Sequence, residues 1–219
     1  MSTSGRPRAA LDHLVLAAAT LAQGIEYVAE LTGVAPRPGG THESMGTHNA
    51  LLSLGDRAYL EIIAADPEAK VPARPRFFDL DDAALRAELS ESPRLVHWVA
   101  RTTDIEALAR RCPLALGAIV PMSRGDYRWR ITIPDDGRRP GRGLVPALIQ
   151  WDVPAHPCDA LPRSGVTLAQ FGATHPEPAP IRKALEALGL AETLRVTTDR
   201  ETRLAAMLRT PRGIVTLSG

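Results

Sequence analysis

The sequence feature that most constrains the fold is one pattern of elements that occurs three times along the chain. Each time, a predicted strand is followed by a helix and then by further strands, over about 70 to 85 residues. The first and third predicted helices align without gaps, so that Ile25 lies on Ile181 and Gly33 on Gly189. Each glycine follows an apolar stripe of helical spacing, where glycine commonly ends a helix. We therefore predict an α+β fold of repeated βαβββ modules, two of them paired and a third following.

The pattern divides the chain into three predicted regions. We expect residues 1–10 to be a disordered tail, because MSTSGRPRAA is short and polar. Residues 11–157 contain the two paired modules. Residues 158–219 contain the third module, which begins within a proline-rich linker, VPAHPCDALPRSG.

The composition excludes several classes of protein. The chain has 219 residues, of which 44% are hydrophobic, so it can bury a sizeable core. Its 26 Lys and Arg nearly balance its 25 Asp and Glu, and a formal net charge of +1 gives no electrostatic footprint for nucleic acid. The sequence contains no secretory signal and no apolar run of about 20 residues that could span a membrane. We expect a cytoplasmic protein with neither nucleic acid nor a membrane as its partner.

One carboxylate lies inside an apolar predicted strand. In RAYLEIIAA, the side chains of Tyr59, Glu61 and Ile63 share one face of the strand. Burying an unpaired charge costs several kcal/mol or more. Glu61 must therefore be paired, bound to a ligand or located at a wet rim.

Superposing the first two modules predicts partners for Glu61. His13 and His97 are each the third residue of an opening strand, LDHLVLA and LVHWVAR. The closing strands AYLEIIA and ALIQWD align Glu61 with Gln150. If the two modules pair about a pseudo-twofold axis, these four side chains converge in one cleft. Two imidazoles, a carboxylate and an amide suit a divalent ion such as Ni, Co, Zn, Fe or Mn.

The stretches that contain these residues resemble a known family. LDHLVLAAATL, GGTHESMGTHNALLSLGDRAYLEIIAADP, SRGDYRWRITIP and LIQWD are similar to the glyoxalase-like domain family of the vicinal oxygen chelate superfamily. The resemblance covers roughly residues 11–157 and implies curved mixed sheets that close around a cavity. His13, Glu61 and His97 match the metal-ligand positions of the superfamily in residue type. Gln150 departs from that pattern, because many members have Glu there.

The resemblance implies a small-molecule enzyme that uses a divalent metal to chelate two adjacent oxygens of its substrate. The ion would act as a Lewis acid on developing negative charge. His13, Glu61 and His97 would hold the ion, with Glu61 also a catalytic residue, and Gln150 would bind it weakly. Isomerase, lyase and dioxygenase reactions all stay open.

Three further residues are candidates for binding substrate. Asn49 could contact a substrate oxygen or simply cap a turn of its strand. Arg124 and Arg130 could hold an anionic group, because a guanidinium matches a carboxylate or phosphate. Arg130 shares its strand face with Arg128, however, and that face could equally be a solvated outer surface.

Two other functions fit the same sequence. The cavity could bind or sequester a small molecule without any metal. The third module could instead pair its open edge strand with the same strand of another chain and form a homodimer.

Overall fold

The computed structural model describes residues 8–219. The first module consists of β1 (Ala10–Ala17), α1 (Leu21–Thr32), β2 (Arg37–His42), β3 (Thr47–Ser53) and β4 (Tyr59–Ala65). A connector with α2 (Ala83–Glu91) leads to the second module, which consists of β5 (Arg94–Arg101), α3 (Ile105–Arg111), β6 (Ala118–Arg124), β7 (Tyr127–Ile133) and β8 (Ala147–Trp151). A short helix, α4 (Pro157–Ala160), precedes the third module, which consists of β9 (Thr167–His175), α5 (Pro178–Leu188), β10 (Arg195–Thr198), β11 (Arg203–Thr210) and β12 (Gly213–Ser218).

The first two modules form one eight-stranded sheet. Its strand order is β2-β3-β4-β1-β5-β8-β7-β6, so the second half mirrors the first. In each module the opening strand runs parallel to the closing strand, and the two opening strands, β1 and β5, pair antiparallel at the centre. The edge strands β2 and β6 approach each other, so the sheet curls around a concave face. The predicted α+β fold with paired modules and a curved mixed sheet is confirmed.

The third module repeats the order of elements but not the pairing of strands. Its separate sheet has the order β10-β9-β11-β12, and the opening strand β9 pairs with β10 and β11. In the first two modules, each opening strand pairs on one side with the closing strand of its own module and on the other side with the opening strand of the other module. The third module has no such partner within residues 8–219, and β9 is covered on both sides by strands of its own module.

The ends of the helices follow the sequence signals. The Thr20 side chain caps α1 by accepting a hydrogen bond from the backbone N–H of Gln23. Gly33 and Gly189 end α1 and α5 in the left-handed conformation, at φ 76° and 75°. The alignment of the first and third helices therefore holds at their C-terminal ends.

The N-terminal region differs from a simple tail. Of the predicted tail, residues 1–7 lie outside the described residues. The buried Ala9 donates its backbone N–H to the carbonyl of Leu188 at 3.2 Å, and β1 already begins at Ala10.

The two faces of the large sheet support two separate cores. Leu14, Leu60 and Trp98 belong to the convex core, which also includes apolar residues of α1, α3, α5 and the second sheet. The concave core contains residues of β1, β4, β5, β7 and β8, together with Phe77 and Phe78 of the connector. No helix within residues 8–219 is long and apolar enough to cross a membrane.

Helix α1 packs very closely on β4, and a glycine permits this contact. A Cβ added at the buried Gly24 would lie 2.4 Å from Cγ2 of Ile62. We expect Gly24→Ala to destabilise the protein by about 1–3 kcal/mol, because overpacking outweighs the roughly 1 kcal/mol gain in helix propensity. Urea unfolding measures the change in the free energy of unfolding.

Gly172→Ala is the matched control for this prediction. A Cβ at Gly172 would meet only the carbonyl of Arg195 at 3.5 Å, which is an ordinary contact. Its effect should stay within about 0.5 kcal/mol. A Gly24→Ala protein as stable as this control would contradict the close packing of α1.

Candidate functional site

A small cavity lies on the concave face of the large sheet, between the two modules. Its volume is about 30 Å³, which is room for one or two water molecules. The wall combines aromatic rings with a few polar groups, and it includes His13, Asn49, Glu61, Arg124 and Trp129. The sequence prediction of a cavity bounded by both modules therefore has a physical counterpart.

A β-bulge in the first strand shapes the polar side of this cavity. Strict alternation along β1 would place Asp12 on the sheet face opposite His13. In the pairing of β1 with β5, however, the register shifts between Leu11 and His13, so Asp12 is an extra residue. The bulge allows the Asp12 carboxylate to reach the ring of the next residue. Asp12 Oδ1 lies 2.7 Å from His13 Nδ1.

Asp12 is a fully buried carboxylate with three partners. Besides His13, its Oδ2 accepts from Trp151 Nε1 at 3.0 Å and lies 3.1 Å from His156 Nε2. Burial alone would raise the pKa of Asp12, but the hydrogen bonds to His13 and His156 lower it far below its usual range. A charged carboxylate can only accept, so His13 carries its proton on Nδ1 and turns Nε2 towards the cavity.

Glu61 occupies the next position along this polar chain. Its Oε2 lies 3.5 Å from His13 Nε2, and its Oε1 accepts from Asn49 Nδ2 at 2.5 Å. The Asn49 amide in turn accepts from Arg124 Nη1 at 3.0 Å. A continuous series of polar groups thus runs from Arg124 through Asn49, Glu61 and His13 to Asp12. Glu61, which is buried, therefore has the polar partners that its sequence context requires.

Two glycines leave room for the outer end of the series. A Cβ at Gly39 would lie 2.1 Å from Asn49 Oδ1, and a Cβ at Gly40 would lie 2.8 Å from Arg124 Cδ. Gly40 also has a φ of 149°, which L side chains rarely adopt. The glycine-rich opening of GGTHESMG therefore serves the approach of Arg124 to Asn49.

His97, a predicted metal ligand, is buried with both ring nitrogens engaged by the backbone. Its Nδ1 donates to the carbonyl of Gly143 at 3.1 Å, and its Nε2 accepts from the N–H of Ala147 at 3.1 Å. Burial, reinforced by the nearby Arg139, lowers the pKa of His97 to about 3. No lone pair of this neutral ring is free for a metal.

Gln150 and Arg130 lie on the opposite face of the sheet from the cavity. Gln150 Oε1 accepts from the backbone N–H of Ile105 at 3.0 Å, at the start of α3. Arg130, which is opposite Gln150 in the β7–β8 register, forms ion pairs with Asp152 and Glu106. Both predicted residues therefore support the outer surface of the module. The structure brings His13 and Glu61 together and places His97 and Gln150 elsewhere.

The divalent ion implied by the family resemblance does not fit the described donor groups. Within residues 8–219, no three or more His, Cys, Asp or Glu side chains are grouped to hold a metal ion. The imidazole of His97 is saturated by backbone contacts, and the amide of Gln150 faces away. The predicted set of four ligands is not assembled by this geometry.

His42 is a second buried histidine on the cavity wall that the sequence comparison did not select. Its Nδ1 lies 3.1 Å from Thr47 Oγ1. Burial lowers the pKa of His42 to about 4, with Glu61 acting in the opposite direction. The module repeat did not indicate His42, because the equivalent strand of the second module, β6, contains no histidine.

The connector between the modules closes the concave face with two phenylalanines. The rings of Phe77 and Phe78 lie 4.4 Å apart and line the cavity. Phe78 and Asp79 both have left-handed backbones, with φ of 65° and 59°, a conformation that is strained for a bulky residue such as Phe78 and more frequent for Asp. Arg139 Nε fixes the second of these by donating to Asp79 Oδ2 at 2.7 Å.

Comparison with known families agrees with this fold. A family model described as a glyoxalase-like domain matches residues 11–189, and the chain belongs to this family. The resemblance predicted from the sequence is confirmed, and the match continues beyond residue 157 into the third module. No curated protein matches the chain. Family and fold together support a small-molecule enzyme or a small-molecule binding protein.

Several solved structures are similar to this chain at low sequence identity. A hypothetical protein from Staphylococcus aureus has a TM-score of 0.57 and 14% identity, with 95% of this chain and 84% of that chain covered. Methylmalonyl-CoA epimerase from Mycobacterium tuberculosis has a TM-score of 0.39 and 21% identity, with 64% and 85% covered. The Streptomyces coelicolor methylmalonyl-CoA epimerase in complex with 2-nitronate-propionyl-CoA has a TM-score of 0.41 and 20% identity, with 68% and 100% covered. The first likeness shows the fold alone.

The two neutral histidines predict a loss of stability in acid. His97 and His42 have folded pKa values of about 3 and about 4, below the unfolded value near 6.5. The unfolded chain therefore binds more protons than the folded chain below about pH 6.5. Above that pH the two histidines should not reduce the free energy of unfolding. Towards pH 4 the free energy of unfolding should fall by up to about 1.4 kcal/mol per pH unit for each histidine.

Urea unfolding at several pH values between about 7 and 4.5 measures this slope. His42→Gln should make the slope shallower, because one of the two groups no longer titrates. A free energy of unfolding that is unchanged between these limits would contradict the buried, neutral state of both rings.

Proposed function

We propose that this chain is a small-molecule enzyme in which Glu61 removes a proton from a carbon atom next to a carbonyl group. The observation that supports this most directly is the position of the Glu61 carboxylate, 5% exposed, between His13 and Asn49 at a cavity. Asn49 holds one carboxylate oxygen, so the other faces His13. A buried, oriented carboxylate of this kind suits general base catalysis.

The proposed reaction is a proton transfer without any change of oxidation state. Glu61 Oε2 takes the proton, the electron pair of the C–H bond moves towards the carbonyl group, and an enolate forms. His13 Nε2 faces the same space as Glu61, and the contact of its Nδ1 with Asp12 fixes the orientation of the ring beside the reacting carbon atom. Return of the proton to the enolate gives an isomer or an epimer of the substrate.

The remaining predicted residues divide between this proposal and the outer surface. Asn49 and Arg124 line the cavity and would position the substrate. Arg130 is not included, because its guanidinium is held by Asp152 and Glu106 on the convex side. Pairing of the third module with another chain as a homodimer stays a prediction.

The divalent ion is not part of the proposed mechanism. Chelation of vicinal oxygens would require donor groups that converge, and His97 and Gln150 do not converge on Glu61. The alternative of a metal-independent binding protein is favoured by one observation, namely that Phe77, Phe78 and Trp129 enclose the cavity with apolar rings. Such walls suit sequestration as well as catalysis.

Exchange of substrate hydrogen with solvent tests the proposal. Small carbonyl compounds such as 2-oxobutyrate and dihydroxyacetone are incubated with the protein in D2O, and loss of the C–H signal is followed by NMR. We expect exchange to be accelerated by the native protein and slowed by roughly 10²- to 10⁴-fold in Glu61→Gln, which cannot accept the proton. Thermal unfolding of both proteins checks that the variant is folded.

Gln150→Ala distinguishes the proposal from a metal site. Because the Gln150 side chain bonds to the start of α3 on the outer face of the sheet, its loss should leave exchange nearly unchanged. Equal losses in Gln150→Ala and Glu61→Gln, or exchange that requires added Ni, Co, Zn or Mn, would restore the metal hypothesis. Binding without exchange in the native protein would favour the binding protein.

A further inference from the structure

Arg124 lies at the boundary between the small cavity and a larger cleft. The cleft has a volume of about 750 Å³ and includes Thr41, Glu43 and Ser44 on one side. Met122, Arg124 and Trp129 line both spaces, so these three side chains lie at the boundary between the cleft and the cavity. A molecule in the cleft can therefore contact Arg124, whose side chain also lines the cavity that contains Glu61.

The charge of Arg124 is not neutralised by a carboxylate within residues 8–219. Its guanidinium donates a hydrogen bond to Asn49 Oδ1 and lies over the ring of Tyr127, whose centroid is 5.8 Å from the guanidinium carbon. By contrast, Arg130 and Arg139 on the same module form ion pairs with aspartates. A guanidinium has five N–H donors, so Arg124 keeps donors for a ligand.

The position of Arg124 relates any such ligand to the proposed base. One side-chain amide, that of Asn49, separates the Arg124 guanidinium from the Glu61 carboxylate. If one ligand contacted both residues, its anionic group at Arg124 would thus be separated by only a few covalent bonds from its carbon atom at Glu61. The two glycines that admit Arg124 and Asn49 show that the backbone is shaped around this pair.

We propose that Arg124 binds the carboxylate of the substrate, so that the substrates are short carboxylic acids with the acidic carbon close to that group. This inference rests on the proposed function of Glu61. A planar carboxylate matches the guanidinium fork. Glu43 also lines the cleft, and repulsion by its carboxylate favours a monoanion over a phosphate dianion.

Calorimetric titration with 2-oxobutyrate, its neutral amide 2-oxobutyramide and inorganic phosphate tests the inference. We expect the native protein to bind the acid at least about tenfold more tightly than the amide or phosphate, as a charge-assisted pair requires. Arg124→Gln should weaken binding of the acid by about tenfold or more, and Arg124→Lys should weaken it less. The lysine variant keeps the positive charge, so it still tests the inference if the glutamine variant fails to fold.

Arg128→Gln is the matched control, because it removes the same charge from the same cleft. The Arg128 guanidinium donates to the carbonyls of Gly125 and Tyr127 in its own hairpin. Its loss should change the affinity by less than about threefold. Equal weakening in both variants would reduce the effect to general electrostatics and overturn the inference.

Three other results would also overturn it: no binding of the acid by the native protein, equal binding of the amide, or tighter binding of phosphate. Glu61→Gln should still bind 2-oxobutyrate, because the amide no longer repels the anion. Retained binding with lost exchange therefore separates the role of Arg124 from the role of Glu61. Retained exchange in Arg124→Gln with unchanged affinity would contradict the role of Arg124 and leave the proposed role of Glu61 intact.

Discussion

The antiparallel pairing of β1 with β5 is the interaction on which the rest of the structure depends. It joins the two modules and carries one extra residue in each strand, Asp12 in β1 and Val96 in β5. Each extra residue directly precedes a histidine, namely His13 in the first module and His97 in the second. In the first module this residue is a carboxylate that orients His13, whereas in the second it is apolar and His97 bonds to the backbone instead. One pseudo-symmetric irregularity thus produces one polar site and one structural histidine.

Local patterns were sufficient for the elements and for part of the site. The glycine ends of α1 and α5 follow from short-range chemistry. The module repeat grouped His13 with Glu61, and their side chains lie 3.5 Å apart. The contributions of Asp12 and Gln150 could not be predicted in the same way. A bulge breaks the period of two at Asp12, and the face of Gln150 depends on the register of β8 against β7.

The partners of the buried polar groups come from distant parts of the chain. Asp12 meets Trp151 and His156, and His97 meets the backbone of Gly143 and Ala147. No periodicity encodes such contacts, because they depend on how the modules close. An imidazole at a family ligand position can therefore be a structural group whose two nitrogens are already satisfied.

The two phenylalanines of the connector affect the dissociation constants of all ligands that enter the cavity. Phe77 and Phe78 leave space for only one or two water molecules, so a larger ligand in the cavity requires these rings to move. The observed dissociation constant then equals the intrinsic constant divided by the fraction of molecules with the rings displaced. That fraction belongs to the protein and is common to all ligands. Ratios of affinities within a series therefore report contacts in the opened cavity, whereas absolute affinities also contain the equilibrium of the connector.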